Sequence, residues 1–140
     1  MPGCVITEKS GQQSRADVEE APSVLLIDDD PMMLESLAMA LEEYGFRVLT
    51  ASSGLSGLRV FREQRPAAVL TDIVMPDQDG FETMLKIRRE QPNAKVIAIS
   101  GQLDKWDYLD LAEKLGADAT FAKGRDVRSL VETLNRILGR

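Results

Sequence analysis

The chain has no histidine and a single cysteine, Cys4, among its 140 residues. Without imidazole there is no Ser-His-Asp triad, no Cys-His pair, no phosphohistidine acceptor and no histidine metal site. One cysteine supports neither an internal disulfide nor a cysteine metal cluster. No apolar run approaches the roughly 18 residues of a membrane span, and the N-terminus lacks the apolar core of a signal peptide, so a cytoplasmic protein is expected. Neither a glycine-rich phosphate loop nor a repeat of solenoid period is present, which argues against P-loop, Rossmann and solenoid readings. Basic residues are the minority, 17 against 23 acidic, and the net charge of -6 opposes nucleic acid or anionic membrane as a general partner. Carboxylates, hydroxyls and lysines remain to carry chemistry.

One domain is expected from the length, with enough chain for a core without covalent staples. Residues 1–22 include "EKSGQQSRADVEEAP", which is polar and aperiodic and reads as a flexible leader, leaving 23–140 as the folded unit. From Ser23 onward, short apolar runs alternate with helix-period segments. "VLLI" (24–27) is continuous, as in a strand buried on both faces, and Leu34, Leu37, Leu41 and Tyr44 then share one helical face before Gly45. "FRVLTA" (46–51) is a second strand, followed by a helix with Leu55, Leu58 and Phe61 inward and Pro66 beyond it. "AAVLT" (67–71) is a third strand, and after "DIVMPDQDG" a third helix carries Phe81, Met84, Leu85 and Arg88 and stops before Pro92. "KVIAIS" (95–100), a helix over about 105–115, "ATFA" (119–122) and an amphipathic last helix through Val127, Leu130, Val131, Leu134, Ile137 and Leu138 complete the pattern.

Five β-α units with buried strands predict an α/β fold: a parallel five-stranded sheet in a three-layer α-β-α arrangement, because parallel neighbours need right-handed crossovers. Sites in such sheets lie beyond the carboxyl ends of the strands. Asp28 and Asp29 stand at the end of the first strand, Asp72 of the third, Ser100 of the fourth and Lys123 of the fifth. Two unit charges 4 Å apart repel by about 4 kcal/mol at an effective dielectric near 20, so grouped carboxylates hold a cation or take up a proton. A hard divalent ion fits: magnesium, or manganese in its place, accepts one or two carboxylates and shares its other positions with water and phosphate oxygens. Asp72 is then the candidate nucleophile, with Lys123 and Ser100 suited to the remaining phosphate oxygens.

This constellation resembles the receiver domain of two-component response regulators, of the stand-alone single-domain type. "LLIDDD" is similar to that family's acidic pair, "LTDIVMPDQDGFE" to its phosphoacceptor segment, "AIS-G" to its switch hydroxyl and "GADATFAKG" to its lysine segment, together spanning Val24 to Leu138. The resemblance implies a flavodoxin-like (βα)5 fold with strand order 2-1-3-4-5. It implies phosphoryl transfer to Asp72 from a sensor histidine kinase or histidine phosphotransfer protein, and output to a downstream protein target by a monomer or weak dimer. By the same resemblance Asp29 and Asp72 ligate magnesium directly, Asp28 acts through water, and the Val74 carbonyl adds a ligand. Lys123 pairs with the phosphoryl group, and Ser100 moves to bond it. The chain would then be no enzyme beyond its own aspartyl phosphorylation and dephosphorylation.

Two positions depart from the family pattern. Gly124 stands where a proline in a cis bond usually follows the lysine, and a cis non-proline bond costs roughly 2.5 to 4 kcal/mol, so this loop is expected to differ. Thr120 stands where the switch aromatic usually sits, and Phe121, one place later in a strand, points to the opposite face. Trp106 either covers the loop after the fourth strand or is a partner anchor on the surface. Asp30, directly before Pro31, reads as the N-cap of the first helix rather than a third ligand. Other readings are a pseudo-receiver that binds without switching and a receiver fragment of a larger regulator. A haloacid dehalogenase-type phosphatase is opposed by Val74, which stands where a second aspartate is needed, and a flavodoxin by three aspartates that would repel its phosphate.

Overall fold

A strand that is apolar at every position has no face to give to water; "VLLI" is of that kind, and "AAVLT" and "KVIAIS" interrupt their apolar runs only near the ends. In the computed structural model, which describes residues 21–73, 80–100, 112–114 and 116–140, these runs lie side by side in one sheet. In chain order the elements are β1 (Ser23–Ile27), α1 (Pro31–Glu43), β2 (Arg47–Ala51), α2 (Gly54–Gln64), β3 (Ala68–Asp72), α3 (Gly80–Glu90), β4 (Lys95–Ser100), β5 (Ala119–Ala122) and α4 (Val127–Leu138). All pairings are parallel and the order is β2-β1-β3-β4-β5, the flavodoxin-like arrangement. The helix expected over 105–115 lies outside the described residues except for 112–114, which are helical.

Alternation along each strand divides the apolar side chains between two cores. Leu25, Ile27, Val69, Val96 and Ala98 meet Leu58 and Phe61 of α2 and Met84 and Ile87 of α3. Val24, Leu26, Leu70, Ile97 and Ile99 meet Leu41 of α1 and Leu130, Val131 and Leu134 of α4. At roughly 1.5–3 kcal/mol for each fully buried large aliphatic side chain, these two layers hold the sheet ends in place.

Helix entries are set locally. Asp30 caps α1, its carboxylate accepting hydrogen bonds from the main-chain N–H of Met32 (3.0 Å) and Met33 (3.5 Å), with Pro31 in the first turn. Ser53 and Ser56 form a reciprocal capping box on α2, and Asp126 caps α4. Ala21 and Pro22, read from sequence as the end of a flexible leader, are tied to β2: Arg47 donates from its Nε to Ala21 O (3.1 Å) and from its main chain to Pro22 O (2.9 Å).

Among the large side chains that the sequence pattern singled out, three face out, of which Leu55 was expected inward. Leu55 is 63% exposed, because Gly54, Gly57, Leu58 and Phe61 form the buried stripe of α2. A Cβ at Gly57 would run into the Ile27 side chain, so this face of the helix sits close to β1 and turns Leu55 to solvent. In α3 the buried stripe is Gly80, Thr83, Met84 and Ile87, leaving Leu85 40% exposed. Tyr44 is the C-cap of α1 and lies past its last inward turn, 46% exposed.

Candidate functional site

Each site residue owes its place to the strand it ends. Asp28 continues the line of β1, its main-chain N–H donating to Ala51 O of β2 at 3.1 Å, and its side chain is buried. Asp29 then turns outward and is exposed. Asp28 Oδ1 accepts from the main chain of Asp30 at 3.0 Å, so the acidic run folds back on itself just before the cap of α1. Asp72 is the last residue of β3, in register with Ile99, and is buried. Ser100, also buried, ends β4 opposite Ala122, and its carbonyl accepts from the main chain of Lys123 at 2.8 Å.

β1 and β3 are neighbours, so three carboxylates converge: Asp28, Asp29 and Asp72 each offer an oxygen, all within 4.8 Å of one another. Lys123 reaches across from beyond β5 to join two of them, its Nζ lying 2.8 Å from Asp28 Oδ2 and 3.0 Å from Asp72 Oδ2. Burial of the Lys123 ammonium opposes its charge, but hydrogen bonds to Asp28 and Asp72 and their negative charge prevail, and its pKa is raised. Three carboxylates against one ammonium leave a formal charge of minus two. A cluster made only of oxygen donors, with one exposed carboxylate giving access from solvent, suits a hard divalent cation. Val74, expected to add a carbonyl ligand, and Trp106 lie outside the described residues.

The sequence matches the family model for the response regulator receiver domain over residues 24–135. The chain belongs to the response regulator receiver family. Among its relatives, Transcriptional regulatory protein AfsQ1 of Streptomyces coelicolor is 37% identical over 119 residues, covering 85% of this chain and 52% of that protein. Protein PilH of Pseudomonas aeruginosa is 30% identical over 117 residues, covering 82% of this chain and 96% of that protein. The chain spans about half the length of several transcriptional regulators it matches, and less of others. A receiver domain crystal structure from Clostridium thermocellum superposes with a TM-score of 0.79 at 34% identity, covering 85% of this chain and 95% of that one. A CheY-like receiver from Methanospirillum hungatei gives a TM-score of 0.78 at 28% identity, with coverage of 86% and 95%.

Both departures from the family pattern have a structural form in this receiver. Among the described residues no peptide bond is cis, and Gly124 follows Lys123 with φ of +91°, in the left-handed region that glycine enters at no steric cost. Thr120 pairs with Ala98 and Phe121 with Ile99, and these two partners belong to opposite cores. Phe121 accordingly packs on the side of Leu130 and Leu134, away from the face that Thr120 occupies. Sequence reasoning passed over Thr71 as a site residue. Thr71 is wholly buried and its Oγ1 donates to Asp72 O at 3.0 Å; the signal was a hydroxyl in an otherwise apolar strand. No helix among the described residues is long and apolar enough to cross a membrane.

Proposed function

We propose that this receiver is a magnesium-dependent phosphoacceptor switch in which Asp72 takes a phosphoryl group from the phosphohistidine of a sensor kinase or phosphotransfer protein. The observation that carries this reading is the meeting of Asp28, Asp29 and Asp72 within 4.8 Å, with Lys123 bonded to two of them. Bound magnesium would neutralise the carboxylates of Asp29 and Asp72, with Asp28 acting through water, and draw charge from the phosphoryl oxygens. A carboxylate oxygen of Asp72 forms a bond to phosphorus as the phosphorus–nitrogen bond to the donor imidazole breaks. The electron pair leaves with the imidazole nitrogen, which takes a proton from solvent. Lys123 transfers one of its hydrogen bonds from carboxylate to a phosphoryl oxygen, and the Ser100 hydroxyl donates to another. Hydrolysis of the acyl phosphate returns the resting state, so chemistry is confined to the chain's own aspartate. Phosphorylation shifts the population between two conformers only to the extent that one holds the phosphoryl group better.

Output is then binding of a downstream protein rather than nucleic acid, in the cytoplasm, by residues 23–140 acting as one domain. The coverage of PilH supports that single-domain reading, while the longer transcriptional regulators support the same switch within a larger protein. Incubation with acetyl phosphate and magnesium tests the core claim. The wild-type chain should gain a hydroxylamine-labile phosphate, and Asp72→Asn should gain none; retained labelling in that variant sinks the assignment.

The placement of Phe121 away from Thr120 favours one second reading, a binding module whose shape does not follow phosphorylation. Beryllofluoride with magnesium separates the two, since a switch changes the fluorescence of Trp106 and an uncoupled module does not.

A further inference from the structure

A carboxylate is aimed by the main chain that carries it, and the main chain of Asp72 is held from three elements. On one side, Thr71 Oγ1 donates to the Asp72 carbonyl at 3.0 Å. On another, α3 begins so near this peptide that a Cβ at Gly80 would overlap the same carbonyl oxygen and the Ile73 Cα. Gly80 N donates to Ile73 O at 3.2 Å, and Ile73 N donates to Ile99 O of β4 at 3.0 Å. Gly80 is buried and is not among the glycines with positive φ. Space against Asp72, rather than conformational freedom, is therefore what requires glycine there.

We propose that Thr71 and Gly80 are positioning residues that grip the Asp72–Ile73 peptide and so fix the Asp72 carboxylate relative to Asp28, Asp29 and the incoming phosphoryl group. The inference rests on the phosphoacceptor reading above. A misplacement of about 1 Å in a reacting group can lower rate about 100-fold, so main-chain fixation matters more here than at an ordinary strand end. Gly57 provides the control within the same molecule. A Cβ there would also be crowded, though less closely, and by the end of the Ile27 side chain, which can move, not by the peptide of a site residue.

The test uses the full 140-residue chain as wild type, Gly80→Ala, Gly57→Ala, Thr71→Val and Asp72→Asn. Magnesium affinity is read by calorimetry, phosphate uptake from acetyl phosphate by hydroxylamine-labile label, and stability by urea titration. Gly80→Ala, under conditions where it is folded, should bind magnesium at least tenfold more weakly and label at least tenfold more slowly. Gly57→Ala, though also destabilised, should stay within twofold on both. Thr71→Val, which changes little volume, should weaken binding and slow labelling about threefold with its fold intact, and it decides the matter if Gly80→Ala does not fold. Folded Gly80→Ala and Thr71→Val chains that match the wild type, or a Gly57→Ala chain that loses site function as Gly80→Ala does, overturn the inference while leaving the phosphoacceptor reading standing. An inert wild type, or labelling that survives in Asp72→Asn, overturns that reading and the inference with it.

Discussion

The two ends of the sheet both carry ion pairs, yet they use charge in opposite ways. At the amino end, Arg62 of α2 grips Glu90 of α3 through Nε contacts of 3.0 and 3.1 Å, with both side chains well exposed. Beside it Arg88 of α3 bonds Asp118 at 2.8 Å, and the same Asp118 oxygen accepts from the main chain of Val96 at 2.8 Å. At the carboxyl end, Asp28 and Asp72 are 7% exposed and Lys123 17%. Water screens the Arg62–Glu90 pair and Arg88–Asp118 is half-buried, whereas the carboxyl-end cluster is shielded from water and each member depends on the others. One end clips helices together; the other gathers three carboxylates against one ammonium, a group that could hold a metal ion.

Removing one partner at each end exposes the contrast most strongly. Lys123→Met leaves two buried carboxylates without their ammonium and should cost about 3 kcal/mol in urea denaturation, the lower part of the range for breaking a buried pair. Magnesium should restore much of that loss, and a destabilisation under about 1 kcal/mol would show that the carboxyl end is as well hydrated as the amino end.

Next in size is the separation inside the acidic run. Asp29→Ala should weaken magnesium binding at least tenfold by calorimetry with little change in stability, since its side chain is exposed and outside the lysine bridge. Asp30→Ser should leave that affinity alone, because Asp30 caps α1 and serine caps comparably well. Equal effects of the two substitutions would mean that the run acts as one ligand.

At the amino end, Arg88→Ala should cost at most about 1 kcal/mol, and Arg62→Ala should give a smaller loss still, resolved by urea titration rather than by melting temperature. Acid and alkali should distinguish the ends as well. The Glu90 pKa is lowered by its hydrogen bonds to Arg62, so that contribution is present above the ordinary carboxylate pKa of 4.5 and fades as pH falls through the lowered value. Lys123 has a raised pKa, so its contribution is full below 10.5 and is lost as pH rises through the raised value. Urea titrations of wild type, Arg62→Ala and Lys123→Met across pH should show the first difference vanish in acid and the second in strong alkali.

Much of this was legible in sequence where the cause is local. β4 and β5 have the bounds that "KVIAIS" and "ATFA" gave, and the others begin or end within a residue or so of the apolar runs. The Asp-Pro pair announced the cap of α1 because capping depends only on neighbours. Burial was misjudged at Leu55, where a hydrophobicity pattern took the larger side chain as inward and the buried stripe instead includes Gly54 and Gly57 beside Leu58 and Phe61. Strand ends brought Asp28, Asp29, Asp72 and Lys123 to one edge, but nothing local says that a lysine 51 residues beyond Asp72 will touch Asp28 as well. The same holds for Arg88 and Asp118, which meet across 30 residues, and for the approach of Gly80 to Asp72, which depends on how closely α3 docks.

The reach of Lys123 also gives the site a history during synthesis. A chain emerging from the ribosome presents Asp28 first, Asp72 later and their internal counter-ion only after another 51 residues. Until Lys123 is made, a β1–β3 pair would hold Asp28 and Asp72 side by side without the amine that bonds both. The acids that end β1 and β3 thus receive their internal counter-ion from just beyond the last strand, which ties charge balance at that edge to completion of the sheet.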